Sequence, residues 1–199
     1  AYEAALESLR ERGLVYPCFC TRREIQHEWA RMGAAPQGPE APVYPGTCQK
    51  LSSSIQEVKL GSGMPFAWRL DSRKARELAG PLTFQDLRFG EISVDPDLLG
   101  DVVLARKDIG TAYHLAVVVD DAFQEISHVS RGEDLLSSTH VHRLLQALLG
   151  LPAPLYQHHP LMLDEEGNRL AKRSNSLAIA TLRDQGRSPA EVLAMIDAG

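Results

Sequence analysis

Three cysteines are the residues of this chain whose types and spacing point most directly to chemistry. Cys18 and Cys20 stand one residue apart in "YPCFC", and Cys48 ends "YPGTC" after a Pro- and Gly-rich stretch that indicates a loop. Cys18 and Cys20 are too close for an unstrained disulfide, but their thiolates can bind one soft cation together. If the loop folds back, Cys48 supplies a third thiolate, and the pattern predicts a zinc site.

A structural zinc site takes four ligands, so one more residue is required. Tyr44, His27 and Glu24 are the candidates close to the cysteines. Composition alone favours His27, because a phenolate is a rare zinc ligand. The alternative is that the three thiols are unrelated small side chains of the core.

Arg131 is the second candidate for chemistry. It follows a predicted strand from Ile126 to Ser130, and α/β folds bind ligands at the ends of strands. The planar guanidinium can hold both oxygens of a carboxylate. A surface ion pair with Glu133 or Asp134 is the alternative.

The elements that must position these residues alternate between helices and strands. An amphipathic helix is predicted from Tyr2 to about Gly13. Strands are predicted at Met64 to Asp71, as a pair around Phe89 and Gly90, at Val102 to Arg106, and before Arg131. The apolar run from His114 to Val119 fits either a strand or a buried helix. Alternating strands and helices predict the α/β class.

The second half of the chain carries the clearest helix signal. "SSTHVHRLLQALLGLPAP" has the helical period, with a Ser or Thr cap predicted at its start and Gly150 at its end. The stretch from Pro160 to Ser176 predicts a strand, a turn at Glu166-Gly167 and a basic loop. Ser188 and Glu191 have the spacing of a capping box, which predicts a last helix with Pro189 in its first position.

Bulk composition limits the classes of protein that this chain can form. Its 199 residues are 44% apolar, enough for one large domain or two small ones and too apolar for a disordered segment. The formal net charge of −5 argues against a surface that binds nucleic acid everywhere. No apolar run approaches the ~20 residues that span a bilayer, so we expect no membrane partner. The low cysteine count predicts a reducing compartment, hence the cytoplasm.

Four stretches together resemble one known family. "CFCTRREI", "YPGTC", "YHLAVVVDDAFQEISHVSRGEDLLSST" and "NRLAKRS" are similar, in order and spacing, to the catalytic core of class I glutamyl-tRNA synthetases. The resemblance runs over nearly all of the chain. It is closer to their short paralogue family, the glutamyl-queuosine tRNA(Asp) synthetases, because of "YPGTC" and because Val117 stands where ordinary glutamyl-tRNA synthetases typically have asparagine.

The resemblance implies a fold and a division of the chain. The fold would be α/β, a partial Rossmann-like catalytic core of a class I aminoacyl-tRNA synthetase with an inserted zinc-binding subdomain. Residues 1–60 would form a helix and the zinc subdomain, and residues 61–150 the second part of the catalytic fold. Residues 151–199 would hold a loop like the family's Lys-Met-Ser-Lys-Ser motif and a C-terminal helical segment.

The resemblance also implies an activity. The protein would be an ATP-dependent ligase that activates L-glutamate and transfers it to the queuosine base of tRNA(Asp). It would be a monomer, would use ATP with magnesium as a substrate, and would carry zinc.

Each site residue follows from its place in the family's motifs. The zinc ligands would be Cys18, Cys20, Tyr44 and Cys48, so the resemblance replaces His27 by Tyr44. Tyr113 and Arg131 would bind glutamate.

Lys172 would be the catalytic, ATP-binding lysine of the "RLAKRS" loop, where Arg169 takes the place of the motif's first lysine. From the residues alone this loop is a solvated basic segment. His158 and His159 would line the nucleotide site or serve the structure.

One departure from the family is clear in these 199 residues. The His-Ile-Gly-His-like signature is absent, so we expect a fragment that lacks the first part of the nucleotide fold and is inactive alone. Two alternatives stay open at this point: the catalytic fragment of an ordinary glutamyl-tRNA synthetase, and a noncatalytic zinc-bearing RNA-binding or regulatory module.

Overall fold

The computed structural model describes residues 1–31, 43–106, 110–161 and 178–197. The α-helices in these ranges are α1 (Tyr2–Glu11), α2 (Arg22–Arg31), α3 (Ser53–Gly61), α4 (Ser72–Ala79), α5 (Tyr113–Phe123), α6 (Leu136–Leu149), α7 (Ile179–Asp184) and α8 (Pro189–Asp197). The strands are β1 (Val15–Cys18), β2 (Ala67–Leu70), β3 (Thr83–Asp86), β4 (Gly90–Ser93), β5 (Val103–Arg106), β6 (Gly110–Thr111), β7 (His128–Gly132) and β8 (Leu155–His159). The predicted α/β class is confirmed.

The strands form two sheets. The first has the order β1-β2-β5-β6 and is antiparallel throughout. The second has the order β4-β3-β8-β7, in which β3, β8 and β7 run parallel and β4 closes an antiparallel edge. Because three neighbouring strands run in one direction, their carboxyl ends meet at the same edge of the second sheet.

The main core lies between the helices and the sheets. Helix α6 packs against α5 and α4, and α1 packs against α5 and α6. Leu9 of α1, Leu115 of α5 and Leu145 of α6 are fully buried. Full burial of such a side chain stabilises a fold by about 1.5–3 kcal/mol, so these contacts fix the helices that carry the site.

Several predicted elements are confirmed, and one ambiguity is resolved. The first helix, the strand pair around Phe89-Gly90 and the strands at 67–70, 103–106 and 128–132 are all present. The run from His114 to Val119 is helical, because Leu115, Val118 and Val119 follow the helical period and face the core.

The predicted start of α6 is wrong, whereas its end is confirmed. Its N-cap is Leu135, with no side-chain hydrogen bond, because a short 3₁₀ turn over residues 133–135 leads directly into the helix. Gly150 ends the helix with a φ of 66°, a left-handed conformation that glycine adopts without strain.

The C-terminal part of the chain combines a confirmed cap with an unpredicted strand. The Ser188 amide donates to Glu191 Oε2 at 2.8 Å and the Glu191 amide donates to Ser188 Oγ at 3.3 Å, which is the predicted capping box. Strands β1, β6 and β8 were not predicted, nor were helices α2, α3 and α4. The predicted turn at Glu166-Gly167 and the basic loop lie outside the described residues.

No helix within the described ranges has the length and apolar character needed to cross a bilayer. The division of the chain into segments 1–60, 61–150 and 151–199 stays a prediction.

Candidate functional site

Arg131 lies near the carboxyl end of β7, directly opposite His158 of β8 in the sheet register. Its Nε donates to His158 Nε2 at 3.2 Å, its Nη1 approaches His142 Nδ1 at 3.2 Å, and its Nη2 donates to Thr139 Oγ1. The guanidinium also lies over the ring of Tyr156, 5.3 Å from the ring centroid. Three neutral acceptors and an aromatic ring therefore hold this cation in place.

The structure brings Tyr113 to Arg131, although 18 residues separate them in the chain. Tyr113 is the first residue of α5 and is 49% exposed. Its hydroxyl oxygen is 3.5 Å from Arg131 Nη1. The two side chains that the family motifs pair thus share one partly open surface.

Arg131 forms no salt bridge with a carboxylate among the residues that the structure describes, although Asp121 is near enough for the Arg131 charge to oppose the rise that burial causes in its pKa. Glu133, one of the two acidic residues considered for a surface ion pair, instead meets Arg88, whose Nη1 is 2.7 Å from its Oε2. A guanidinium with neutral acceptors on its inner side and an open outer side is suited to bind an external anion.

Two histidines behind Arg131 are neutral. His142 is 2% exposed, and its Nε2 is 3.1 Å from His114 Nδ1. Burial, and then the nearby Arg131 charge, lower the pKa of His142 to about 2 and the pKa of His114 to about 4. The positive charge of this cluster is therefore confined to the guanidinium.

A buried aspartate stands behind His158. Asp86 ends β3, and its Oδ2 is 2.6 Å from His158 Nδ1, with both side chains shielded from solvent. Burial alone would raise the pKa of Asp86. Hydrogen bonds from His158 and from the Arg88 and Phe89 amides outweigh burial and hold this pKa below its ordinary value. Burial lowers the pKa of His158, so the pair consists of an aspartate anion and a neutral imidazole.

Sequence reasoning missed several residues around Arg131, among them Asp86, His114, Thr139 and His142. One signal was available: Asp86 follows an alternating stretch, "LTFQD", at the position where a strand ends. No local pattern distinguishes the other three. His159, by contrast, is exposed, and its Nδ1 is 2.9 Å from the carbonyl oxygen of Pro160.

The three cysteines meet in a second cluster, as predicted. Their sulfur atoms all lie within 4.8 Å of one another, and those of Cys20 and Cys48 are 3.4 Å apart. The Tyr44 hydroxyl completes the group at 3.3 Å from Cys18 Sγ and 3.4 Å from Cys20 Sγ. Ligands of a tetrahedral zinc ion at ~2.3 Å are separated by about 3.7 Å, so these four donors fit one zinc ion.

The protons of the cluster are unevenly distributed. The hydrogen bond with Cys48 lowers the pKa of Cys18 to about 4. Burial opposes this shift, and hydrogen bonds with Tyr44 and Arg69 add to it. The hydrogen bond with Cys18 and then burial raise the pKa of Cys48, and burial raises the pKa values of Cys20 and Tyr44. The directions of these pKa shifts favour one thiolate in the cluster, and a metal held by all four donors would displace the remaining protons.

Composition favoured His27 as the fourth ligand, but the structure does not bring His27 to the three thiols. His27 belongs to α2 and lines a surface cavity of about 420 Å³ beside Cys20, outside the group of donors that converge. The Glu24 carboxylate caps the start of α2, where its Oε2 accepts from the Thr21 amide at 2.7 Å. Tyr44 reaches the thiols because the Cys48 amide donates to its hydroxyl at 2.9 Å and fixes it.

Lys172 and Arg169 lie outside the residues that the structure describes, so the loop proposed to contact ATP has no geometry to report.

A family model gives the first comparison with known proteins. The model described as "tRNA synthetases class I (E and Q), catalytic domain" matches residues 1–197. A glutamate-tRNA synthetase structure from Elizabethkingia anophelis superposes with a TM-score of 0.69 at 26% identity, covering 95% of this chain and 39% of that one.

Curated relatives give the second comparison. The glutamyl-Q tRNA(Asp) synthetase of Rhodobacter capsulatus is 44% identical, covering 98% of this chain and 71% of the relative. The protein of that name from Nocardia farcinica is 45% identical, with coverages of 98% and 58%. Glutamate–tRNA ligase 2 of Syntrophus aciditrophicus is 35% identical, and the chain spans only 38% of it.

Proposed function

Because the chain belongs to the class I family of tRNA synthetases for glutamate and glutamine, we propose that the protein activates L-glutamate with ATP and magnesium and transfers it to the queuosine base of tRNA(Asp). The observation that carries the proposal is the Arg131 guanidinium. It is held by neutral acceptors near the carboxyl end of a parallel strand, with its outer side open beside the Tyr113 hydroxyl. The names of relatives at 44% and 45% identity support the choice of tRNA.

The reaction requires positioning more than covalent chemistry from the protein. A carboxylate of glutamate attacks the α-phosphate of ATP, and pyrophosphate leaves with its electron pair. Arg131 would hold a carboxylate of glutamate by charge-assisted hydrogen bonds, and Tyr113 would hydrogen-bond the same molecule. The α-carboxylate loses its charge on becoming the acyl phosphate, so the lasting partner of Arg131 is the side-chain carboxylate.

Two further assignments complete the proposal. Lys172 would contact the ATP phosphates and stabilise the negative charge that grows on them in the transition state. Cys18, Cys20, Tyr44 and Cys48 would hold one zinc ion, which when bound crosslinks the segments that carry these ligands. The zinc subdomain would then be a structural unit beside the catalytic fold.

ATP–pyrophosphate exchange on the full-length protein tests this function. Exchange should depend on glutamate and proceed without tRNA, and labelled glutamate should then appear on tRNA(Asp) that carries queuosine. Arg131→Ala leaves the glutamate carboxylate without its charged partner, which typically costs ~2–5 kcal/mol, so the KM for glutamate should rise at least about 30-fold. The KM for ATP should change little.

Arg143→Ala is the matched control, because the Arg143 Nε hydrogen bond goes to the Thr83 carbonyl oxygen and not to a group that holds the Arg131 guanidinium. An unchanged glutamate KM in Arg131→Ala would disprove the assignment of the site. Charging of tRNA(Glu) instead of tRNA(Asp) would identify an ordinary glutamyl-tRNA synthetase. No exchange with any amino acid would favour the noncatalytic zinc-bearing module.

A further inference from the structure

Asp86, His158 and Arg131 form a line across three neighbouring strands. Asp86 ends β3, His158 lies in β8, and Arg131 lies in β7 directly opposite His158. Asp86 Oδ2 is 2.6 Å from His158 Nδ1, and Arg131 Nε is 3.2 Å from His158 Nε2. The imidazole therefore stands between a buried carboxylate and the guanidinium, with one ring nitrogen on each.

The positions of the protons follow from what each group can donate. A carboxylate only accepts hydrogen bonds, so the proton of the neutral His158 ring is on Nδ1. Nε2 then has a lone pair, which accepts from Arg131 Nε. Thr139 shares this acceptor, because its Oγ1 lies 2.9 Å from His158 Nε2. The Thr139 oxygen accepts from Arg131 Nη2, and its own hydrogen has the Nε2 lone pair or the Leu135 carbonyl oxygen, at 3.2 Å, as acceptor.

We infer that Asp86 is a positioning residue for the proposed amino-acid site: by fixing the tautomer of His158, it aims the Arg131 guanidinium. The inference rests on the proposed function, since it concerns the same arginine. His142 Nδ1 and Thr139 Oγ1 hold the two Nη atoms, but Nε has His158 as its one partner among the described residues. The direction of the guanidinium plane thus depends on a lone pair at His158 Nε2.

Asp86→Asn is the substitution that separates this role from simple packing. The introduced asparagine can keep its Oδ1 on the Arg88 and Phe89 amides, which donate to Asp86 Oδ1 at 2.9 and 3.0 Å. Its amide group then faces His158 as a donor, loses the hydrogen bond that the His158 backbone amide gives to Oδ2 at 3.2 Å, and favours the ring tautomer with hydrogen on Nε2. Two donors, Nε2–H and Arg131 Nε–H, would oppose each other, and the guanidinium would turn away.

The test uses the full-length protein and two measurements. The KM for glutamate should rise about 10- to 100-fold in Asp86→Asn, the range for losing a hydrogen bond to a charged group, while the KM for ATP stays within about twofold. In ¹⁵N NMR spectra, His158 should be the Nδ1–H tautomer in the unmodified protein and the Nε2–H tautomer in Asp86→Asn.

Asp101→Asn is the matched control. Asp101 is a second buried aspartate, which accepts from the Tyr16 hydroxyl at 2.5 Å and from the Ser72 amide at 2.9 Å. Its substitution should lower the stability of the protein while leaving the glutamate KM and the His158 tautomer unchanged.

Three results would overturn the inference. One is an Nε2–H tautomer of His158 in the unmodified protein. This measurement does not depend on whether any variant folds. The second is an unchanged glutamate KM in Asp86→Asn. The third is an equal rise in Asp101→Asn.

Failure of the proposed function gives a different pattern. Arg131→Ala would then leave the glutamate KM unchanged. The inference would in that case be decided by the tautomer and by the NMR signal of Arg131 Nε–H, which should shift in Asp86→Asn and stay in place in Asp101→Asn.

Discussion

Acid should destabilise this protein through the two histidines behind Arg131. His142 and His114 are neutral in the folded protein, where burial and then Arg131 lower the pKa values to about 2 and about 4, against an ordinary value of 6.5. Because the folded pKa values lie below the unfolded ones, the unfolded chain binds more protons once the pH falls below 6.5. The stabilising contribution is therefore complete above that pH and is lost progressively as the pH falls, down to about 4 for His114 and about 2 for His142.

The magnitude follows from the number of protons taken up on unfolding. Each histidine that stays neutral when folded and protonates when unfolded changes the free energy of unfolding by about 1.4 kcal/mol per pH unit. Between about pH 7 and about pH 5 this gives roughly 2 kcal/mol for each of His142 and His114. The sum of roughly 4 kcal/mol is a large part of the ~5–15 kcal/mol that stabilises a typical domain.

Urea unfolding at these two pH values measures the effect. His142→Asn places an amide oxygen near the position of Nδ1, where it can still accept from Arg131, and removes one titrating group. The loss of stability between the two pH values should shrink by roughly 2 kcal/mol in this variant. His128→Asn, at an exposed position of β7, is the control and should show the loss seen in the unmodified protein. Equal losses in all three proteins would refute the reasoning.

Two further predictions concern the other proposed sites. Elemental analysis of the unmodified, metal-replete protein should find about one zinc ion per chain. Cys48→Ser should remove this zinc, whereas His27→Ala should retain it. Zinc-free unmodified protein would contradict the metal site. Lys172→Ala should lower the rate of adenylate formation in single-turnover experiments by roughly 10²–10³, with the glutamate KM and the stability unchanged. If the full rate is retained, Lys172 has no role at the phosphates.

Periodicity predicted the fold best where one face of an element is buried. Helix α1 follows from its helical period of apolar residues, and the hairpin of β3 and β4 follows from alternation of apolar and polar residues and from turn residues. Strand β8 was missed because its sequence, "LYQHH", places a tyrosine and a histidine in the interior instead of aliphatic residues. Helix α2 was missed because most of its residues are charged or polar and none of its side chains is fully buried, so its apolar side is weak in the sequence.

The sites were predictable to the extent that their chemistry is local. The spacing of Cys18, Cys20 and Cys48 was sufficient to predict that the thiols converge, and they do. The fourth donor was not predictable from composition, because the position of Tyr44 depends on a backbone hydrogen bond from Cys48. Asp86 reaches His158 only because β3 and β8 are neighbours in the sheet, and strand order is not written in a local pattern.

Two buried aspartates connect the fold to the two candidate sites. An isolated buried carboxylate is unfavourable by several kcal/mol, so each is retained only where several donors converge on it. Asp86 accepts from the Arg88 and Phe89 amides and from His158, and it stands behind the proposed amino-acid site. Asp101 accepts from Ser72 and Tyr16, and the Tyr16 ring packs in the cluster that contains the three thiols.

The consequence is that both sites are held by charges that would never touch a substrate or a metal. Their donors come from different strands and helices, so the geometry of each site depends on the whole fold being formed. Substitution of either aspartate should therefore change the geometry of a site without removing a group that contacts its ligand. The two effects should be separable: glutamate binding should respond to Asp86 and not to Asp101.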